Sequence, residues 1–381
     1  MIILEDGPAG APALFDHPVR RVVAYDLADV PAALAHLDRA RAGGAWVAGY
    51  LAYEAGFAFE PRLYDLGAQG SGQPLLAFGI YDAPLPAGDA LARARDLAAA
   101  VQVSPAQPQI DFAGYEAAFD QVMAYIASGD CYQINLTFPM AAQLRAGHAL
   151  GLYGALMARQ KVGHGAYVDL GIGPILVSRS PELFLRVGAE GRIEARPMKG
   201  TAPRDGDPVI DGELAEALRN SVKGQAENLM IVDLLRNDIA RIAQVGSVKV
   251  PQLFGIETYA TLHQMVSRVV GQLAARPSMA SVMPALFPCG SITGAPKIRA
   301  MQIIHQVEVA PRGAYCGAIG WMGPDGAASF SVAIRTLQIT GRDIVLNVGG
   351  GVVQDSTAQG EWEEALWKAR YFNTLAGQGF G

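Results

Sequence analysis

The chain has 381 residues, of which 51% are hydrophobic and 17% charged, so it can bury a large core without disulfides or a structural metal. Its formal net charge of −6 gives no general attraction to nucleic acid or to anionic membranes, and a small anionic ligand would need a local positive pocket. No uncharged apolar run reaches the roughly 20 residues that span a bilayer, and the N-terminus shows no secretory pattern. We therefore expect a cytoplasmic protein with neither nucleic acid nor membrane as a partner.

The cysteines and histidines are scattered. Cys131, Cys289 and Cys316 form no CxxC pair, and we expect them to be buried free thiols. The six histidines show no HxH or HExxH spacing, which argues against a zinc site.

The first 110 residues have weaker signals than the rest of the chain. Residues 1–83 predict mixed strands and one Ala-rich helix at 31–43. Residues 84–110 predict a helix between Pro-rich turns and look like a connection between two parts. We therefore divide the chain into an N-terminal part, 1–110, and a catalytic domain, 111–381.

From Asp111 onward the periodicity is clearer. Tyr115, Phe119, Val122 and Ile126 recur at helical spacing. The segment 131–138 alternates apolar residues with a polar row on one side, Gln133, Asn135 and Thr137. Further strands are predicted at 166–169, 175–178, 183–187, 192–195, 314–321, 329–338 and 343–348, and helices at 212–237, 279–286, 296–306 and 360–374. Strands in hairpin-like succession with grouped helices predict an α+β fold with large antiparallel sheets and disfavour a Rossmann fold.

The segment EWEEALWKA carries the clearest charge pattern. Glu361, Glu364 and Lys368 follow i, i+3, i+7 spacing and share one helix face. Two carboxylates with a lysine suit magnesium and a substrate carboxylate, since magnesium takes few protein carboxylates. A solvated surface helix would show the same spacing.

A second acidic helix, AENLMIVDLLRND, would complete such a site. Glu227 lies among apolar residues, and a carboxylate near a buried seam needs a partner or a metal. For its later polar residues we favour a structural role, as a hydrogen-bonded helix end, over a functional one: Asp233, Arg236, Asn237 and Asp238.

The segment GSITGAPK resembles a phosphate loop only superficially, because Gly294 is not followed by Lys-Ser/Thr. Pro296 fits the first position of a helix, with Thr293 just before it. The free N–H groups of that helix start would suit a carboxylate, and a plain helix start is the alternative.

Other candidates for ligand contacts stand on predicted strands and turns. Gly349, Gly350 and Gly351 follow a strand and would allow close approach to the backbone. Arg335, on a strand, suits a bidentate carboxylate contact, and Tyr315 offers a hydroxyl. Each of these two residues is also an ordinary sheet residue.

Lys199, in RPMKGTAPR, lies in a Pro/Gly-bounded turn. An exposed lysine has a pKa of about 10.4 and stays protonated at neutral pH. Burial or nearby positive charge would lower the pKa of its amine and free the lone pair for nucleophilic attack.

In this order, the segments resemble the chorismate-utilising enzymes, which comprise anthranilate synthase component I, aminodeoxychorismate synthase component I, and the isochorismate and salicylate synthases. The resemblance covers 114–373 through GDCYQINLTF, SRSPELFL, RPMKGTAPR, AENLMIVDLLRND, GSITGAPK, RGAYCGAIG, FSVAIRT, GGGVVQDS and EWEEALWKA. It implies an α+β sandwich of two large antiparallel sheets flanked by helices, with the site between the sheets.

The resemblance also implies roles for individual residues. Glu227 and Glu364 would bind Mg²⁺ directly and Glu361 through water, and the metal would hold the ring carboxylate of chorismate. The rest of the substrate would be held by Gly200, Thr201, Thr293, Tyr315, Arg335, Gly349, Gly350 and Lys368. One departure is Gly224, three positions before Glu227, where members commonly carry a second acidic residue.

Three positions point to one branch of this family. Lys199 matches the lysine typical of aminodeoxychorismate synthases, where anthranilate synthases usually show alanine. Gln133 stands where water-adding members carry a base-forming lysine, and Gln264 where anthranilate synthases typically place histidine. These matches imply amination of chorismate at C4, with neutral Lys199 attacking C2, the C4 hydroxyl leaving, and ammonia adding at C4 as the lysine departs.

The amination that the resemblance implies needs a source of ammonia. None of the three cysteines lies in a glutaminase nucleophile elbow, so we expect a separate glutamine amidotransferase subunit, with free ammonium as a substitute. The product would be 4-amino-4-deoxychorismate, on the route to para-aminobenzoate and folate. Anthranilate synthase component I, a water-adding isochorismate synthase and a non-catalytic chorismate-binding regulatory subunit remain alternatives. ILED, at residues 3–6, leaves a tryptophan regulatory site undecided.

Overall fold

The structure is a computed structural model that describes residues 1–67, 72–259 and 262–377. In chain order its strands are β1 Ile2–Leu4, β2 Ala13–Phe15, β3 Arg20–Ala24, β4 Trp46–Leu51, β5 Leu76–Tyr81, β6 Leu85–Pro86, β7 Gln102–Val103, β8 Gln107–Pro108, β9 Gln133–Ala146, β10 His164–Val168, β11 Ile175–Ser180, β12 Leu183–Val187, β13 Arg192–Ala195, β14 Met198–Pro203, β15 Lys249–Thr258, β16 Leu262–Gln272, β17 Gly294–Ala295, β18 Ala318–Met322, β19 Ala328–Val332, β20 Thr336–Thr340 and β21 Asp343–Val352.

The helices stand in groups between the strands. They are α1 Val30–Ala42, α2 Gly88–Ala98, α3 Phe112–Ala127, α4 Ala149–Arg159, α5 Pro208–Arg219, α6 Val222–Ala240, α7 Met279–Leu286, α8 Lys297–Val307, α9 Ala358–Lys368 and α10 Arg370–Asn373. Short 3₁₀ segments include Tyr53–Phe59 and Gly290–Ile292.

The strands form two large antiparallel sheets. The first has the order β17-β9-β21-β20-β11-β10-β1-β2-β6, with β7 and β8 also paired to β9. The second has the order β14-β16-β13-β12-β19-β18-β4-β5-β3, with β15 paired to β16. The predicted α+β fold of two large antiparallel sheets with flanking helices is confirmed. Both sheets take strands from either side of residue 110, and the division at that residue stays a prediction.

The longest pairing in the first sheet joins β9 to β21. Ten residues of each strand are in register, from Asp343 opposite Gln143 to Val352 opposite Ile134. The glycines 349–351 therefore lie inside a strand rather than after one, which corrects the sequence prediction. The polar row of β9 is present but buried, with exposures of 0%, 8% and 3% for Gln133, Asn135 and Thr137.

Two predicted strands have different limits in the structure. Residues 329–338 form two strands in different sheets, β19 and β20, and the chain crosses between the sheets at 333–335. Arg335, at φ 49°, lies in that crossing and not on a strand. Residues 314–317 form a turn before β18, where Cys316 also has a positive φ of 60°. Strand propensity alone does not show where a chain changes sheets.

Two predicted helices are also divided. The segment 212–237 breaks at Asn220–Ser221, because Ser221 is extended and its Oγ accepts a hydrogen bond from Gly224 N at 3.1 Å, which starts α6. The segment 360–374 contains α9 and α10, separated at Ala369. At its start, α9 is capped by Thr357, whose Oγ1 accepts from Gly360 N.

The three cysteines are buried and free, as predicted. In the part of the chain that the structure describes, no helix has the length and apolar character required to cross a bilayer.

Candidate active site

The glycine run of β21 exposes bare backbone to groups on both faces of the strand. Successive strand residues point to opposite faces, so Gly350 and Gly351 face different neighbours. A Cβ on Gly350 would lie 2.8 Å from Oε2 of Glu361 and 3.4 Å from Oε1 of Glu364. A Cβ on Gly351 would lie 3.4 Å from Nζ of Lys199. The absence of side chains at these two positions keeps the space beside both groups open.

The α9 face presents the three charged side chains that the helical spacing predicts. Nζ of Lys368 lies 2.8 Å from Oε1 of Glu364 and donates to the carbonyl oxygen of Gly349 at 2.8 Å. Oε1 of Glu361 accepts from Ser356 Oγ at 2.7 Å. The spacing therefore places two carboxylates and one ammonium beside the glycine strand.

The two carboxylates of α9 differ in protonation behaviour. Burial raises the pKa of Glu361, and the neighbouring charge of Glu364 raises it further, against the Ser356 hydrogen bond. Burial also acts to raise the pKa of Glu364, but the charge and hydrogen bond of Lys368 outweigh it and the pKa falls below its usual value. Glu364 is therefore ionised at neutral pH, whereas the ionised form of Glu361 would be stabilised by a nearby cation.

Lys199 lies on β14, an edge strand of the second sheet, rather than in the turn that was predicted. The pairing with β16 shifts register between Met198 and Thr201, where Gly200 has a φ of 74°. Gln264 stabilises this bulge, because its Nε2 donates to Gly200 O at 2.6 Å and its Oε1 accepts from Thr201 Oγ1 at 3.1 Å. The bulge directs Lys199 toward β21.

The surroundings of Lys199 lower the pKa of its amine. Desolvation lowers the pKa of Lys199, against the carboxylates of Glu227 and Glu182, and the positive charge of Lys368 lowers it further. The net shift is downward. A lysine with a lowered pKa has more of its amine in the nucleophilic form.

Gln133 is fully buried beside the same glycine. Its exposure is 0%, and neither Nε2 nor Oε1 has a hydrogen-bond partner among the described residues. A Cβ on Gly351 would clash with its amide nitrogen. An unpaired buried amide costs stability, so its persistence points to a ligand that supplies the missing partners.

Glu182 is a candidate that sequence reasoning missed. It lies between β11 and β12, is 5% exposed, and accepts from Ser291 Oγ at 2.7 Å. Burial raises the pKa of Glu182 to about 7, against the Ser291 hydrogen bond and the charge of Lys199. The segment SRSPELFL contributed only to the resemblance, although a glutamate between two apolar strands is itself a signal. Glu182 is a carboxyl group that can hold a proton near neutral pH beside an amine.

Glu227 lies in the same electrostatic environment. Its charge acts to raise the pKa of Lys199, and its Oε1 lies 4.0 Å from Nζ of Lys223. Among the described residues there is no group of three His, Cys, Asp or Glu side chains arranged to hold a metal. The pair Glu361 and Glu364 beside Gly350 nevertheless fits a hard cation that takes few protein carboxylates and completes its shell with waters and substrate oxygens. The assignment of Mg²⁺ to Glu227, Glu361 and Glu364 stays a prediction.

The remaining predicted contact residues lie on other elements. Arg335 is beside Tyr371, and within the described ranges its guanidinium makes no hydrogen bond or ion pair. Tyr315 is 5% exposed, and burial raises the pKa of its hydroxyl. Thr293 is fully buried, with Oγ1 3.2 Å from the carbonyl oxygens of Cys289 and Gly290. The Arg335 guanidinium could therefore bind an anion, whereas the Thr293 hydroxyl already donates to carbonyl oxygens of its own loop.

The helix after GSITGAPK begins at Lys297, one residue later than predicted, with Pro296 before it. Lys297 binds Asp238 at 2.5 Å and the carbonyl oxygen of Leu286 at 2.9 Å. This lysine therefore links α8 to the end of α6 and to α7.

Comparison with known proteins identifies the family of this chain. The family model described as chorismate binding enzyme matches residues 2–374. The chain belongs to the chorismate binding enzyme family. Aminodeoxychorismate synthase component 1 of Salmonella typhimurium is 39% identical over 342 residues, which are 84% of this chain and 74% of the relative. The protein of the same name from Escherichia coli K12 is 43% identical over 254 residues, 67% of this chain and 55% of the relative.

The fold of the family is seen in solved structures as well. The crystal structure of anthranilate synthase component I from Streptococcus pneumoniae TIGR4 matches with a TM-score of 0.80 at 24% identity, covering 95% of this chain and 91% of that one. At this identity the match concerns the fold alone. This chorismate binding enzyme chain spans about half to three-quarters of the length of the two relatives.

Proposed function

We propose that this chain aminates chorismate at C4, as aminodeoxychorismate synthase component I, with Lys199 as the nucleophile. The observation that carries the proposal is the position of the Lys199 amine, beside Gln133 and Gly351, with Glu182 in its electrostatic reach. Relatives named aminodeoxychorismate synthase component 1 support the same assignment.

Two side chains take part in the bond changes of the proposed reaction: Lys199 as the nucleophile, and Glu182 as the proton donor and acceptor. The neutral amine of Lys199 bonds to C2 of the ring, the double bonds shift, and the C4–O bond breaks. Glu182 gives its proton to the departing hydroxyl, which leaves as water. Ammonia then bonds to C4, the double bonds shift back, and the C2–N bond breaks with its electron pair returning to Lys199. Glu182 takes back one proton from the new amine.

The other residues bind and orient the substrate. Glu361 and Glu364, with Glu227, would hold Mg²⁺, which supplies positive charge for the ring carboxylate. Arg335 and Lys368 are suited to substrate anions, and the bare backbone of Gly349 and Gly350 lets the ring approach closely. Gln133 offers an amide donor and acceptor but cannot remove a proton from water, which favours ammonia over water addition.

We further propose that a glutamine amidotransferase subunit supplies the ammonia in a reducing cytoplasm. Both reported relatives are named as component 1 of a synthase, which supports a second component. The three buried cysteines of this chain all have burial-raised thiol pKa values, so none is an activated glutaminase nucleophile.

Product analysis tests this function. The chain is incubated with chorismate, Mg²⁺ and ammonium, with and without an aminodeoxychorismate lyase, and products are separated by chromatography. We expect para-aminobenzoate only when the lyase is present. Anthranilate formed without lyase would assign the chain to anthranilate synthase component I. Binding of chorismate without turnover would assign a regulatory role, which the missing carboxylate at Gly224 favours.

The covalent step has its own test. Intact-protein mass spectrometry of the wild type under turnover should show an adduct on Lys199, and Lys199→Ala should show neither the adduct nor amination. Wild-type amination rates in Lys199→Ala would contradict the covalent route.

A further inference from the structure

A cavity of about 320 Å³ lies away from the glycine strand, between the 3₁₀ segment Tyr53–Phe59 and the C-terminal end of α8. Its volume is within the range of small-molecule sites. The residues that matter for its chemistry are Tyr53, Glu54, Phe57, His305, Glu308 and Arg312. The proposed amination uses none of them.

The walls of the cavity are aromatic and aliphatic. Tyr53 and Phe57 make an edge contact with centroids 6.1 Å apart, and Phe57 makes a second one with His305 at 6.1 Å. Ile304 and Leu27 add apolar surface. Such walls favour a flat, largely apolar ligand.

The arginine at this cavity is not available to a ligand. Arg312 is 1% exposed, and each of its guanidinium nitrogens already donates, to Glu308, Ile292 O or Asn135 O. Both oxygens of Glu308 are used by this arginine. The Arg312–Glu308 pair therefore has no net charge, and none of its guanidinium nitrogens is left without an acceptor for a ligand carboxylate to bind.

Glu54 and Tyr53 are the groups left open. Oε1 of Glu54 accepts from Arg312 N at 2.7 Å and Oε2 accepts from Gly313 N at 3.1 Å, which leaves lone pairs on both oxygens. Burial raises the pKa of Glu54 to about 7, against those backbone hydrogen bonds, so its charge lacks full compensation. The Tyr53 hydroxyl is buried with no partner among the described residues. The Glu54 carboxylate and the Tyr53 hydroxyl would therefore be matched by a ligand that has one positively charged hydrogen-bond donor.

We propose that this cavity is a second ligand site, which takes a small arylalkylamine in its cationic form, with the ring between the aromatic walls and the ammonium at Glu54. A zwitterionic amino acid fits less well, because its carboxylate would lie beside Glu54 while the Arg312 guanidinium is already bound to Glu308 and to backbone carbonyls. Ammonium alone would leave the apolar volume unfilled.

The site is tested by calorimetric titration of the full chain with three probes of matched size. We expect tyramine to bind at one site at least about tenfold more tightly than tyrosine or 4-ethylphenol, which add a carboxylate or lack the amine. Equal affinities for tyramine and 4-ethylphenol, or tighter binding of tyrosine, would overturn the proposal. Since the readout is binding, it is independent of whether the chain aminates chorismate.

Variants locate the binding. Ile304→Trp fills the cavity and should abolish tyramine binding, and Glu54→Gln should weaken it at least about tenfold. Tyr53→Phe removes a hydroxyl that has no partner, so it should fold normally while weakening tyramine. Glu60→Gln, at the residue after the segment Tyr53–Phe59, pairs with Arg62 and does not line the cavity; it is the matched control and should change nothing. Unchanged affinity in Tyr53→Phe and Glu54→Gln would overturn the site even if Ile304→Trp failed to fold.

Discussion

Nζ of Lys368 lies 2.8 Å from the carbonyl oxygen of Gly349, so a charged donor fixes the last turn of α9 to the glycine strand. The same nitrogen pairs with Glu364 at 2.8 Å. The third N–H of this ammonium is left for a substrate carboxylate, whereas a metal at Glu364 must share the carboxylate with Lys368. The site therefore holds its charges in mutual contact before a ligand arrives.

Lys368→Gln should raise the KM for chorismate by about 10–100-fold, because charged hydrogen bonds contribute about 1.5–3 kcal/mol. Initial rates with saturating ammonium and varied chorismate measure the change. Lys161→Gln, which removes an exposed lysine, is the control and should match the wild type. An unchanged KM in Lys368→Gln would show that the lysine only fixes the helix.

The pH dependence of kcat/KM should be bell-shaped. Activity rises as Lys199, whose pKa is lowered by burial, loses its proton, and it falls as Glu182 ionises above its pKa of about 7. Glu182→Gln should lower kcat by about 10²–10⁴-fold and remove the alkaline limb. Retention of that limb in Glu182→Gln would assign the proton to another group.

Gly350→Ala should abolish most activity while the protein stays folded. The added Cβ would lie 2.8 Å from Glu361 Oε2 and 3.4 Å from Lys368 Nζ, in space that a ligand needs. We expect kcat/KM to fall by about 100-fold, in line with the effect of a small misplacement of a reacting ligand. Gly212→Ala, on α5 with no atom within 4 Å of its Cβ, should retain activity and gain about 0.5–1 kcal/mol of stability.

Gln133→Leu should stabilise the protein while lowering its activity. The change removes two buried polar atoms without partners, and we expect the free energy of unfolding to rise by about 1 kcal/mol in urea denaturation. Gln143→Leu, on the exposed part of the same strand, loses a hydrogen bond to Asp343 and should keep full activity. A Gln133→Leu variant that is less stable than the wild type would mean that the amide has structural partners.

Chelation tests the metal. EDTA should stop chorismate amination, and added Mg²⁺ should restore it. Glu364→Gln and Glu361→Gln should each require at least about tenfold more Mg²⁺, since ligand and supporting carboxylates affect affinity on this scale. Glu363→Gln, on the same helix but bonded to Gln359, is the control. Activity that is insensitive to EDTA would contradict the role of magnesium.

Local periodicity was enough to find one half of the candidate site. The i, i+3, i+7 spacing of Glu361, Glu364 and Lys368 fixes their common face wherever the helix lies. The alternation of β9 likewise identified Gln133 as part of a polar row. These features depend only on helix and strand geometry.

The other half depends on contacts between distant segments. Glu182 and Lys199 are brought together by the turn from β11 to β12 and the bulge at Gly200, and neither is visible in local spacing. Arg335 was placed on a strand because 329–338 was predicted to be a single strand. The change of sheet inside that run depends on tertiary pairing, which single-residue preferences do not encode.

Ten registered pairs between β9 and β21 hold three consecutive glycines in place, and these expose main chain beside Lys199, Glu361 and Glu364. In the proposed function this main chain would contact the ring without distinguishing which atom is added to it. Substitution of a single residue beside the glycines, such as Gln133 or Lys199, can therefore change the reaction while the β9–β21 pairing stays the same.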